Sequence, residues 1–205
     1  QQQGGHGPGC LGELAGHGVQ TQPARRTGSC DIGKIRVTQS GVDVLAAAIR
    51  QYDGPPVRWR LIGEGPMRVQ CEQALQGMVQ VTFESWGPLQ ELPARLVTAD
   101  AILGIFGVTD KARRVIPNKV YQGLALGRPV ITARTPAYPD AVLAGENTGV
   151  FWAEPGSPDS IVAAVKQLHD RRAELPGIAR AARQTYESHF SNRVIADVLR
   201  TVLHI

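Results

Sequence analysis

The sequence predicts an α/β fold, an open parallel sheet with helices on both faces, and three observations lead there. Short strand-like runs, such as Val57–Ile62 and the apolar residues 101–106, alternate with helical patterns of roughly ten residues. Turn signals such as Asp53-Gly54-Pro55-Pro56 and Gly63-Glu64-Gly65-Pro66 punctuate the alternation. The last third is helix after helix. Strands separated by helical crossovers pair in parallel, and the crossovers cover both faces of the sheet.

Taken in order, residues 1–30 are rich in Gly and Gln and almost free of apolar periodicity, so they are expected to form a disordered tail. One domain is expected over residues 31–205. Val42, Leu45, Ala46 and Ile49 recur at helical spacing, and Val57–Ile62 reads as a strand. The loop Gly63-Glu64-Gly65-Pro66 leads to a helix of about ten residues, and residues 79–83 form the next strand. A short helix over 88–99, a strand over 101–106, a helix over 117–126 and a strand over 129–133 follow. Ser157-Pro158-Asp159 combines a cap, a first-position proline and a first-turn acid, with Ile161, Val162, Val165 and Leu168 as the apolar face. A second helix covers Leu175–His189. Ser191 caps a third, whose apolar face is Val194, Ile195, Val198, Leu199 and Val202.

The chain of 205 residues has no apolar run long enough to span a bilayer and no pattern of a signal peptide at its start, so a cytoplasmic location is the default expectation. Cys10, Cys30 and Cys71 are too scattered for a zinc site or a disulfide framework, and reduced thiols are expected. The net charge of +4 fits anionic partners without choosing between nucleotides, nucleic acid and a lipid surface.

Placement of the charge says more. Pro117 suits the first helical position, and the unpaired N–H groups of that first turn attract anions. Lys119 is expected as an exposed residue of the turn, with Lys111, Arg113 and Arg114 before it. A diphosphate fits this cationic helix entrance, and a solvated basic loop before an ordinary helix fits it equally well. In an open parallel sheet, ligands sit beyond the carboxyl ends of the strands. Three loops belong to that edge: Gly63-Glu64-Gly65, residues 107–116 and residues 134–138. The glycine loop reads either as a nucleotide contact or as a tight strand-to-helix turn. Trp86 either stacks on a base or packs over its own loop. No P-loop, nucleophile elbow or H-E-x-x-H is present, and the sequence offers no general base.

These pieces, in this order, resemble the C-terminal, nucleotide-sugar-binding half of GT-B glycosyltransferases, especially glycosyltransferase family 4. The resemblance rests on IGKIRVTQSGVDVLAAA (32–48), WRLIGEGPMR (59–68), ELPARLVTADAILGIF (91–106), PNKVYQGLALGRPVITA (117–133) and GENTGVFWAEPGSPDSIVAAV (145–165). It implies a Rossmann-like domain that binds a nucleoside-diphosphate sugar as substrate, with no cofactor. The Gly33-Lys34 loop and the cations Arg113, Arg114 and Lys119 would face the diphosphate, and Gly63-Glu64-Gly65 would lie near the nucleoside. With these cations stabilising the departing diphosphate, no metal is required.

Two glutamates separated by seven residues mark the family, and the matching positions here are Arg114 and Gln122. Gln122 keeps hydrogen bonding to ribose hydroxyls, whereas Arg114 would grip phosphate or a carboxylated sugar. Ser40 stands where the family has a lysine before Gly41. The acceptor, a glycan or lipid-linked saccharide, would be held by a preceding domain, so this chain reads as the back half of a larger protein. Such a fragment is expected to bind a nucleotide weakly and transfer nothing. The implied setting is cell-envelope or polysaccharide synthesis, extending to peripheral association of the full-length protein with the inner face of the membrane. The alternative is a non-catalytic Rossmann-like module that binds nucleic acid or a protein through its basic loop. The clustering of cations at one sheet edge, without interleaved aromatics, speaks against nucleic acid.

Overall fold

A computed structural model describes residues 30–33 and 41–204, with the backbone alone for the first four. Among the described residues, six strands form two three-stranded parallel sheets. The first contains β1 (Cys30–Gly33), β2 (Val57–Ile62) and β3 (Val81–Glu84), in that order. The second contains β4 (Ile102–Leu103), β5 (Val130–Ala133) and β6 (Val150–Ala153). Because β1 adjoins β4, the strands run β3-β2-β1-β4-β5-β6 across the molecule. The chain winds one way from β1 to β3 and the other way from β4 to β6. The switch point between β1 and β4 is where an open α/β sheet leaves a crevice for ligand.

Alternate residues of the central strands feed two cores. Leu103 and Ile131 pack on one side with α1 (Val42–Gln51), α2 (Arg68–Ala74) and α7 (Pro158–Asp170). Ile102 and Val130 pack on the other with α3 (Leu92–Leu96), α5 (Asn118–Ala125), α6 (Asp140–Ala144) and α8 (Leu175–His189). Both faces of the sheet are thus covered, and every residue of β4 and β5 is buried, as central parallel strands require. Trp59, on β2, is fully buried and meets Tyr52 edge to face at 5.7 Å, which settles it as a core residue.

The elements differ from the sequence reading where local signals are weakest. The expected strand over 79–83 starts at Val81, because Val81 N–H donates back to Met78 O in a turn that leaves Val79 exposed. The helix after Gly65 has seven residues, and the one over 88–99 resolves into a 3-10 turn followed by the short α3. β4 is formally two residues long, yet its ladder continues through Gly104 N–H to Ile131 O and Ala133 N–H to Ile105 O. The elements not anticipated include α4 (Asp110–Arg114), α6 and β6. Cys30 belongs to β1, one residue before the expected domain start, and the rest of the Gly/Gln-rich tail lies outside the described residues.

Ser157 caps α7 by accepting from Ser160 N–H at 3.2 Å, as its Ser-Pro-Asp signal requires. Ser191 likewise caps α9 (Asn192–Leu203). The apolar face of α9 is solvent-exposed, with Ile195, Val198, Leu199 and Val202 all open. Cys71 is a free, buried thiol, and burial pushes its pKa up to about 11.

Candidate functional site

The crevice is built by backbone packed against backbone. Gly41 precedes α1 with φ +89°, and a Cβ on it would lie 2.3 Å from Gly107 N and 2.7 Å from the Phe106 carbonyl carbon. Only glycine permits that approach. The first turn of α1 therefore abuts the loop that leaves β4. That loop is held from the other side by Gly156, whose N–H donates to Phe106 O at 2.8 Å. Carboxyl ends of β1 and β4 and the N-terminus of α1 thus meet at the switch point. Lys34 and Ser40, which belong to the connection between β1 and α1, lie outside the described residues, and Gly33 ends β1.

Loop 107–116 is not the basic loop expected from sequence. Thr109 Oγ1 accepts from Ala112 N–H at 3.2 Å and caps α4, a single turn that carries Lys111, Arg113 and Arg114 on exposed positions. These cations lie in the last turn of α4, where they suit the negative end of its dipole, three residues or more before the Pro117 cap of α5. Arg114 donates to Asp110 Oδ2 at 3.2 Å across one turn, on the protein surface.

Pro117 is the cap of α5, in extended conformation (φ −71°, ψ 145°), and not its first helical residue. Lys119 consequently falls in the second helical position. It is only 9% exposed, which corrects the expectation of an exposed residue. The packing of α5 against β4 and α8 draws it in. Gln122, three residues on, shares its side of the helix and is half-buried. The structure thus puts Lys119 and Gln122 together on α5 and places Arg113 and Arg114 on α4.

At the other end of the edge, Gly63 and Gly65 have φ of 141° and 148°, values that side-chain-bearing residues rarely adopt. Gly63 N–H donates to Glu84 O at 2.9 Å, which ties the glycine loop to the end of β3. Arg68 fastens the same junction. Its Nη1 donates to Gly63 O at 2.6 Å and Glu84 O at 3.1 Å, while its guanidinium lies over the Phe83 ring. Glu64 itself is exposed.

Sequence reasoning missed the ionic cluster beside this loop. Arg60 Nε donates to Glu84 Oε1 at 2.8 Å, Arg60 Nη1 to Thr98 Oγ1 at 2.8 Å, and Arg95 to Glu84 Oε2 and Ser85 O. Arg60 pairs with Thr82 in the ladder, so Glu84 is its diagonal neighbour, reachable across the two strands. The hydrogen bond from Arg60 is the main reason the Glu84 carboxyl sits below its ordinary range, helped by Arg95 and opposed by burial. Its depressed folded-state pKa makes its contribution present above the unfolded value of 4.5 and lost as pH falls through the folded one. Glu84→Gln is therefore expected to lower stability at pH 7 by about 1–3 kcal/mol, through two guanidiniums left short of a carboxylate. That gap should close as pH drops below 4.5, a trend that denaturant midpoints of both proteins at pH 7 and pH 4 would check.

The loop after β5 completes the edge. Arg134 N–H donates to Ala153 O at 2.8 Å and its guanidinium lies over Trp152, which packs edge-on against buried Tyr138 at 4.9 Å. Tyr138 and Thr132 hydroxyls hydrogen-bond at 3.1 Å, and burial raises the phenol pKa. Among the described residues, no group of three His, Cys, Asp or Glu could hold a metal ion, and no helix is long and apolar enough to cross a membrane.

Solved structures share this architecture. The chain superposes on Anabaena HepE in complex with UDP and glucose with a TM-score of 0.66 and 18% identity, covering 85% of this chain and 49% of that one. Sucrose-phosphate synthase from Thermosynechococcus elongatus gives 0.66 and 18%, with 89% and 46% covered. The catalytic domain of cholesterol-α-glucosyltransferase from Helicobacter pylori gives 0.59 and 16%, with 80% and 99% covered. The chain thus spans about half the length of the first two. At these identities the likeness shows the fold, a parallel sheet with helices on both sides as in the C-terminal domains of GT-B glycosyltransferases. No curated protein matches the chain. Residues 30–171, more than half of the sequence, match the family described as glycosyl transferases group 1, and the chain belongs to that family.

Proposed function

We propose that this chain is the donor-binding domain of a family 4-type glycosyltransferase. It holds a nucleoside-diphosphate sugar for transfer to a glycan or lipid-linked acceptor of the cell envelope, on the cytoplasmic side. The observation that carries the reading is the apposition of Gly41 and Gly107, which sets the start of α1 against the loop leaving β4 at the switch point. The UDP and glucose bound by HepE support a nucleotide sugar as the ligand class. The acceptor would be held by another domain, a reading supported by the span of about half the length of HepE and of sucrose-phosphate synthase.

Within the site, Lys119 and the N-terminus of α1 stabilise the negative charge that builds on the departing diphosphate. Gln122 hydrogen-bonds the ribose hydroxyls. The position of Arg114, tied to Asp110 on the surface, replaces the carboxylate that other family members place near the donor sugar. The domain alone binds donor without transferring it, because one wall of the active site and the acceptor's position are lacking.

Calorimetric titration with UDP, GDP and ADP tests the reading. Binding of at least one is expected, and a folded protein that binds none of them at millimolar concentration would overturn it. Lys119→Met should weaken the bound nucleotide about 10- to 100-fold, the effect of removing a charge-assisted hydrogen bond to phosphate. Circular dichroism of the variant checks that it is folded before its affinity is compared. Equal affinity in the two proteins would place Lys119 outside the site.

A further inference from the structure

Among the described helices of eight residues or more, α9 alone buries none of its residues, although an apolar face runs along its whole length. Ile195, Val198, Leu199, Val202 and Leu203 are between 49% and 67% exposed. Val194, Ile195, Val198, Thr201 and Val202 are β-branched and form helix poorly, and a helix of 12 residues draws most of its stability from packing its apolar face. The face of α9 is therefore one that another surface covers.

Two features identify that surface. At about 100° per residue, Val194, Ile195, Val198, Leu199, Val202 and Leu203 fill roughly half of the helix circumference, with no charge among them. A second α9 would pair along a narrower seam and leave much of that half uncovered. A helix lying in the interface of a bilayer immerses its whole apolar half. Charge points the same way. Residues 171–204 hold six arginines and no lysine against Glu174, Glu187 and Asp197, a net +3 out of the +4 of the whole chain. On α9, Arg193 and Arg200 lie on the polar half, and Asp197 is balanced because its Oδ1 accepts from Arg200 Nη1 at 2.8 Å. Arginine stems lie along apolar surface while their guanidiniums reach phosphate.

We propose that α9 docks this domain on an anionic bilayer, with its apolar half among the upper acyl chains and Arg193 and Arg200 against lipid phosphates. The helix lies on the membrane and is too short to cross it. Docking does not depend on the donor-site reading, since the crevice is formed by α1, β1 and β4. It suits that reading, because a lipid-linked acceptor lies at a membrane surface.

Flotation of the full chain with vesicles of phosphatidylcholine alone, and of phosphatidylcholine mixed equally with phosphatidylglycerol, tests the proposal. Binding to the mixed vesicles is expected, about tenfold or more tighter than to phosphatidylcholine, and it should weaken as salt rises from about 0.1 M to about 0.5 M. The double variant Leu199→Gln, Val202→Gln should bind the mixed vesicles about 100-fold or more weakly. Glutamine forms helix better than valine and nearly as well as leucine, so circular dichroism should show α9 retained. Arg193→Gln should cost about fivefold on the mixed vesicles. UDP titration should give the same result in all of these proteins. Absence of binding to the mixed vesicles overturns the proposal, as does equal affinity for the two kinds of vesicle. Undiminished binding by the double variant overturns it too, because the attraction would then come from charge elsewhere on the chain. A concentration-dependent dimer that the double variant abolishes, with no vesicle bound, would give the face to a second copy and overturn it as well.

Discussion

Gly41→Ala is expected to lower stability by about 3 kcal/mol or more and to abolish nucleotide binding. Two effects add at this position. The backbone has φ +89°, a left-handed conformation that strains a residue with a Cβ by about 1–2 kcal/mol. The new methyl would also sit 2.3 Å from Gly107 N and 2.8 Å from its Cα, and backbone cannot swing aside as a flexible side chain can. Either α1 or the end of β4 must shift, and these two elements form the crevice. Gly77→Ala separates the effects, because Gly77 has φ +82° and nothing within 4 Å of an added Cβ. It should show the strain alone. Urea midpoints of both variants, with UDP titration of whatever remains folded, check the pair. Equal destabilisation of the two would mean that α1 does not press on Gly107, and the crevice would lose its main support.

Much of the fold was legible because punctuation and periodicity agree where the elements are long. Pro56 and Gly63 bracket β2, and its bounds match the expectation. Leu175–His189 also matches, since its apolar positions repeat over four turns. The short elements were hidden for the opposite reason. α4 buries a single residue, Ala112, so no period exists to detect, and only the Thr109-Asp110 cap signalled it. β6 is four residues inside a glycine-bounded stretch.

The site was legible in its backbone and less so in its side chains. Glycines at 41, 63 and 65 announce positions that a Cβ would spoil, and the structure places them on one sheet edge. Charges are another matter, because a sequence assigns them to the surface by default. Lys119 is buried through the tertiary packing of α5, which no local pattern encodes. The Arg60–Glu84–Arg95 cluster depends on the register between β2 and β3, and a shift by one residue would have turned the same side chains to the opposite face.

Phe106→Ala should be the second most damaging change, lowering stability by about 3–5 kcal/mol. The ring is fully buried in the core shared by α1, α7 and the central strands, and its backbone continues directly into Gly107. Removing it leaves a ring-sized cavity beneath the crevice floor, and the core can collapse only partly to fill it. The hydrogen bond from Gly156 N–H to Phe106 O survives, since it involves only backbone. The β4 ladder should therefore persist while the loop over residues 107–109 loses its inward anchor, so UDP affinity falls along with the denaturant midpoint. Phe106→Leu restores most of the volume, and its expected loss is about 1.5 kcal/mol or less, with UDP binding kept. A Phe106→Ala protein that keeps the wild-type midpoint yet loses UDP would move the ring from the core into the donor site itself.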